Sequence, residues 1–242
     1  MAVDVERDCH GAVARITVPG DRWDGEIADA LVAAIGSLVE DREVRVVILA
    51  SRSTGFCTGL ADGFEPLTVD PDPAAALARL RPPVMAVIDG PCLSVGLEVA
   101  LAADLRLCSP AATFALPDLE RDRLPCWGGT QRLARAIRPA EATAMVLLGS
   151  TLDADRALAL GLVHEVADQP ASRAAELVGE LTARGPLALE MAKEAVHRGA
   201  ELPLRHGLRL EGDLNHQLAA TQDRAEGLQA FFDKRPPDFA GR

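Results

Sequence analysis

Residues 84–104 constrain the fold more than any other stretch of the chain. Val84, Met85, Ala86, Val87 and Ile88 form an apolar, strand-like run that stops at Asp89-Gly90. Small residues follow, and an Ala/Leu/Val helix starts near Val95 with a single carboxylate, Glu98, inside it. A strand that runs through a tight turn into a helix N-terminus aims backbone N–H groups at an incoming anion. An acid one turn further on faces the same cleft. Two readings follow: an oxyanion site with a general acid/base beside it, or a buried turn with a solvated Glu on a core helix.

The same alternation continues along the chain. Residues 12–18 alternate as a strand and 19–21 turn. Residues 26–39 carry apolar positions at helical spacing, and 44–50 are a buried strand that ends in a loop, 51–63. A short helix over 73–80 stops at Pro82-Pro83. The units around 44–80 and 84–103 are rough repeats of one strand–turn–helix pattern. Short strands are expected at 105–108 and 113–115, a loop at 117–129, and helices at about 130–137, 139–148 and 153–160. Gly161 stops the last of these, and 163–166 is a short strand. From 171 to 232 the pattern is almost wholly helical. Strands alternating with helices, then a helical C-terminal quarter, predict an α/β fold.

Composition narrows the function. With 242 residues and 48% hydrophobic content there is ample material for a core, and no apolar run reaches the length of a membrane span. The net charge of −11 argues against nucleic acid and anionic membranes as partners. It leaves room for an anionic small ligand held by local arginines, lysines and helix N-termini. The N-terminal MAVDVERDCHG is too acidic for a secretory or transit leader, so a cytoplasmic location is expected. Five cysteines with no C-x-x-C pair fit reduced thiols better than a disulfide framework or a zinc site. The histidines fall outside the motifs, and His206 and His216 lack the i, i+4 spacing of a helical metal pair, so no metal is expected.

Several stretches resemble one family in order and spacing. The loop Gly55-Phe56-Cys57-Thr58-Gly59-Leu60-Ala61-Asp62 is similar to F-S/C-A-G-A-D, and Asp89 to Asp104 is similar to N-G-x-x-x-G-G-G-x-E-L-A-x-x-C-D. Pro117-Asp118 with Pro125, Gly128, Gly129, Thr130, Gln131, Arg132 and Leu133 resembles P-E-x-x-x-G-x-x-P-x-x-G-G-T-Q-R-L. Residues 157–166, 186–193 and 223–239 resemble the family's later stretches. Together these identify a resemblance to the crotonase superfamily of enoyl-CoA hydratases and isomerases. The resemblance implies a spiral of ββα repeats over residues 1–180, carrying an acyl-CoA site. It also implies a C-terminal helical segment, 181–242, that joins copies into a homotrimer or a hexamer of two stacked trimers. It implies an acyl-CoA thioester as ligand, with coenzyme A part of the substrate and no separate cofactor.

By position, the resemblance puts the amides of Leu60 and Val95 on the thioester oxygen. Such a donor is typically worth roughly 10²–10³ in rate. In the hydratases two glutamates hold a water and deliver its elements across the double bond. Glu98 falls on the first position and Asp118 on the second. Aspartate is one methylene shorter, so its carboxylate retracts by about 1 Å, and a misplacement of that size costs about 100-fold. Glu120 is a nearby acid that need not face the cleft. The leading expectation is therefore hydration of a trans-2-enoyl-CoA. A double-bond isomerase using one acid is the first alternative, and an acyl-CoA binder without turnover is the second.

Further positions carry two readings each. Arg22 reaches the CoA phosphates or is a surface arginine; Trp127 lines the acyl end or belongs to the core. Cys126 is read as pocket wall, because an unperturbed thiol is mostly protonated at neutral pH. Lys234 brings a cation to CoA or lies in a solvated tail. Thr58, Gly59 and Asp62 complete the expected substrate-binding set. Five departures lie close to the ligand. Val95 and Ser94 replace glycines, and the β-branched Val95 narrows the site and forbids positive φ. Asp62 is displaced by one from the loop's usual acid, Trp23-Asp24 replace N-A, and Asp122 takes a usual glycine position. Asp104 is expected to cap or pair structurally.

Overall fold

The computed structural model describes residues 3–242. The expectation about a leader rests in part on residues 1 and 2, which lie outside it. Nine strands and ten helices follow in chain order among the described residues: β1 Asp4–Asp8, β2 Val13–Val18, α1 Gly25–Gly36, β3 Val46–Ser51, α2 Pro73–Ala78, β4 Val84–Ile88, β5 Pro91–Leu93, α3 Val95–Ala102, β6 Leu105–Cys108, β7 Thr113–Ala115, α4 Gly129–Ala136, α5 Pro139–Leu148, β8 Leu152–Asp153, α6 Ala154–Leu160, β9 Glu165–Val166, α7 Pro170–Thr182, α8 Pro186–Ala200, α9 Leu204–Ala219 and α10 Gln222–Asp233. Single 3-10 turns at Cys9–Gly11, Pro66–Thr68 and Pro117–Arg121 join them. No described helix is long and apolar enough to cross a membrane.

Two sheets form. The larger has the order β1-β2-β3-β4-β6-β9, and the smaller β5-β7-β8. β2, β3, β4, β6 and β9 run parallel, and β1 is an antiparallel edge. The units β4–β5–α3 and β6–β7–α4 are ββα repeats. β4 pairs with β6 and β5 with β7, so each turn of the spiral adds one strand to each sheet.

The central strands are buried on both faces, as parallel strands with helices on either side must be. Val47, Leu49, Val84, Ala86 and Ile88 face the main core with α1 to α3, while Val46, Ile48, Ala50, Met85 and Val87 face Ala174 and Val178 of α7. Side chains that alternate on a strand serve two cores at once. The helix starts are written locally: Asp24, Asp72 and Asp153 each accept the N–H three residues on, the usual N-cap.

α8 and α9 pack on each other, and α10 and the C-terminal tail follow. The tail folds back: Arg45 Nη2 donates to the Phe239 carbonyl at 2.5 Å, and the Ala240 N–H donates to Asp223 at 2.8 Å. Asp104 behaves as the structural acid expected of it. It accepts the Val84 N–H at 2.7 Å and pairs with Lys193 and His197 of α8 at 2.8 and 2.7 Å. These bonds to its charged form hold its carboxyl below the usual range despite desolvation. Cys57, Cys92 and Cys108 are buried and Cys9 is exposed.

Candidate active site

Two backbone bridges assemble the site. In the first, the Cys57 N–H donates to the Pro91 carbonyl and the Leu93 N–H donates to the Cys57 carbonyl, each at 2.9 Å, so the 55–62 loop lies alongside β5. Leu60 follows Cys57 by three residues, and Val95 follows Cys92, its bridge partner, by three. In the second, the Trp23 N–H donates to Gly59 at 2.9 Å and the Ala61 N–H donates to Trp23 at 2.8 Å. In a parallel bridge of this form both bonds belong to Trp23, and the Leu60 N–H stays free. Val95 opens α3, where the first N–H groups have no helical acceptor. Among the described residues neither the Leu60 nor the Val95 amide donates a hydrogen bond.

Gly96 allows the loop to close on the helix: a Cβ there would lie 2.2 Å from the Cys57 Cβ. Val95 has a helical backbone, and the positive φ falls one residue earlier. Ser94 has φ 51° and ψ −128°, a conformation that glycine adopts far more readily. Asp122, at the other glycine-like position, is also left-handed, with φ 53°. The Val95 side chain is buried in the core and lies outside the cavity lining, so it does not plug the site.

The two acids are brought together. Glu98 has no exposed surface. Its Oε1 accepts the N–H groups of Trp127 at 2.8 Å and Gly129 at 2.7 Å, while Oε2 has no partner. Burial pushes its pKa up to about 7, with the charge of Asp118 adding to the rise and the two amides opposing it. Asp118 is buried as well. Its Oδ1 accepts the Ser94 hydroxyl at 2.5 Å, and Oδ2 has no partner. Burial raises this carboxyl too, against the Ser94 hydrogen bond and the charges of Arg123 and Arg121. Each acid thus has one oxygen fixed and one oxygen without a partner.

A cavity of about 110 Å³ opens on Asp118, lined by Arg22, Thr58, Gly59, Leu60, Ser94 and Pro117, with Glu120, Arg121 and Arg123 completing it. A larger one, about 730 Å³, lies between α8–α9 and the ends of α2 to α4, and holds neither acid. The smaller joins Leu60, Ser94 and Asp118, while Glu98 lies outside its lining. Arg22 serves the loop: its Nε donates to the Leu60 carbonyl at 2.7 Å and its Nη2 pairs with Asp62 at 3.0 Å.

Four expected ligand contacts lie outside this lining. Trp127 is buried, and its indole N–H donates to the Pro66 carbonyl at 3.0 Å while its ring packs against Phe64. Cys126 is half-buried, with its thiol pushed up to about 12 by desolvation and the nearby carboxylates. Asp62 is exposed and pairs with Arg22, and Lys234 sits exposed at the end of α10. Arg121 and Arg123 are lining residues that sequence reasoning passed over, and Glu120, the acid that need not face the cleft, lines it as well. Nothing in the spacing links them to Arg22, about a hundred residues earlier. Among the described residues there is no cluster of His, Cys, Asp and Glu that could hold a metal ion.

Comparison with known proteins agrees with this geometry. The family model described as "Enoyl-CoA hydratase/isomerase" matches residues 23–242. A probable enoyl-CoA hydratase 2 of Arabidopsis thaliana is 36% identical over 230 residues, 89% of this chain and 76% of that protein. The 2,3-dehydroadipyl-CoA hydratase of Escherichia coli K12 is 36% identical over 225 residues, 88% and 87% of the two chains. The crystal structure of an enoyl-CoA hydratase from Bacillus anthracis superposes over 100% of both chains with a TM-score of 0.92 at 28% identity. With these stretches in register, two buried carboxylates and a spiral of ββα units, this chain belongs to the enoyl-CoA hydratase/isomerase family of the crotonase superfamily.

Proposed function

We propose that the protein hydrates a trans-2-enoyl-CoA. The observation that carries this reading is the pair of buried carboxylates, Glu98 and Asp118, each with one oxygen anchored and the other unpartnered. In hydration, hydroxide from water adds to Cβ and a proton adds to Cα. Negative charge builds transiently on the thioester oxygen. The free Leu60 and Val95 amides receive that charge, each donor being worth roughly 10²–10³ in rate. Glu98 and Asp118 hold the water, take its proton and return one to carbon. An acid with a pKa of about 7 gives and accepts protons with similar ease at neutral pH. Thr58 and Gly59 shape the entrance, and Arg22 fixes the loop that carries Leu60.

The same reading carries an assembly of three or six copies. Val196, Leu204, Leu208, Phe231 and Phe232, all on α8 to α10, expose large apolar surfaces that neighbouring copies would cover.

The test is turnover of crotonyl-CoA and longer enoyl-CoAs. Hydration that falls about 10²-fold or more in Glu98→Gln, at unchanged fold, supports the reading. Migration of a 3-enoyl double bond without water uptake would replace it with an isomerase. Tight acyl-CoA binding with neither reaction would leave a binder.

A further inference from the structure

We propose that the acyl chain this site takes ends in a second carboxylate, received by Arg121 and Arg123; the inference rests on the hydratase reading and deepens it. The cavity on Asp118 has only Leu60 and Pro117 as large apolar wall residues. The rest is small or polar, and three arginines, Arg22, Arg121 and Arg123, line it together with two acids, Asp118 and Glu120. A hydrocarbon tail seated there would strip water from those cations and return nothing. A carboxylate returns paired, charge-assisted hydrogen bonds that match the planar guanidinium fork.

The three arginines differ in how far they are already committed. Arg22 is spent on the Leu60 carbonyl and Asp62. Arg123 gives one N–H to the Phe64 carbonyl at 3.2 Å and stands 3.8 Å from Glu65, leaving most of its fork open. Arg121 has only an ion pair with Asp62 at 3.9 Å, too long for a hydrogen bond, and among the described residues it donates none. Three arginines against two acids, Asp118 and Glu120, leave a positive balance in this lining, within a chain whose net charge is −11. Chain length is bounded as well. The cavity holds only about 110 Å³, so the tail must be short.

The phosphates of coenzyme A offer the same anionic chemistry, and a matched pair separates the two sources. trans-2-Hexenoyl-CoA and 2,3-dehydroadipyl-CoA share six acyl carbons and differ at the distal end, methyl against carboxylate. Their saturated counterparts, hexanoyl-CoA and adipyl-CoA, report binding by calorimetry without turnover. We expect the carboxylated member to be preferred about tenfold or more in kcat/KM and in affinity. Arg121→Leu and Arg123→Leu should each shrink that ratio toward unity. Arg121 is half-exposed, so its variant decides the matter if Arg123→Leu fails to fold. Equal use of both members by the unmodified protein overturns the inference. So does an equal loss on both members and on free coenzyme A in the variants, which assigns the arginines to the phosphates. If neither enoyl-CoA is hydrated but adipyl-CoA keeps its arginine-dependent preference, the hydratase reading falls and the carboxylate site stands.

Discussion

At the scale of single residues, Glu98 is a carboxyl group without exposed surface and with one oxygen unpaired. Its pKa rises from 4.5 to about 7 on folding, chiefly through desolvation. The folded chain therefore holds a proton there that the unfolded chain has released. The stability this confers is complete below pH 4.5 and is lost as pH rises through 7, a change of about 3 kcal/mol at most. Asp118 shifts in the same direction, so comparing the wild type with Glu98→Gln isolates position 98. Urea unfolding should show the variant gaining on the wild type by up to about 3 kcal/mol between pH 5 and pH 8. A constant difference would mean the acid is not desolvated. Ser94 offers a second test. Its hydroxyl fixes Asp118, while its backbone sits where a Cβ is strained. Ser94→Ala and Ser94→Gly both lose the hydroxyl, but only the glycine variant also loses the strain. Denaturant titration should find Ser94→Gly about 1–2 kcal/mol the more stable, and a tie would remove the strain argument.

At the scale of elements, the site depends on how closely α3 approaches the 55–62 loop. A Cβ at Gly96 would meet the Cys57 Cβ at 2.2 Å, so Gly96→Ala must push helix and loop apart. Such overpacking costs typically about 1–3 kcal/mol, and hydration should fall with it because Leu60 and Val95 sit on the two displaced segments. Unchanged unfolding and activity would show that the approach is not tight. The elements also show what could be read in advance. β3, β4, α3 and the helices from 129 onward were legible, because apolar runs and helical spacing persist over five or more residues. β1 was not: four of its five residues are exposed on a sheet edge, and charges mask its alternation. β5 was not either, because three residues starting with proline read as a turn, and only pairing with β7 makes them a strand. Glu98 stood out as a lone charge in an apolar helix. The arginine wall did not, since Arg22 and Arg121 meet only through the spiral, and Trp127 gave no sign that its indole N–H would be taken up by Pro66.

At the scale of the whole molecule, the proposed assembly and the burial pattern each predict something measurable. Sedimentation equilibrium should give a mass of three or six chains. Replacing Phe231 and Phe232 by serine should weaken association at least tenfold, because exposed aromatics of this kind are typical anchors of an interface; a monodisperse single chain would reject the assembly. The thiols report on the fold itself. Three of the five lie inside the core, and Cys126, half-covered, has its ionisation pushed up to about 12. Only thiolate reacts with an alkylating reagent. At neutral pH the native protein should therefore consume one equivalent of iodoacetamide quickly, at Cys9, and the remaining four only as fast as the spiral opens. Slow alkylation then becomes a clock for global unfolding, readable by mass spectrometry without any substrate.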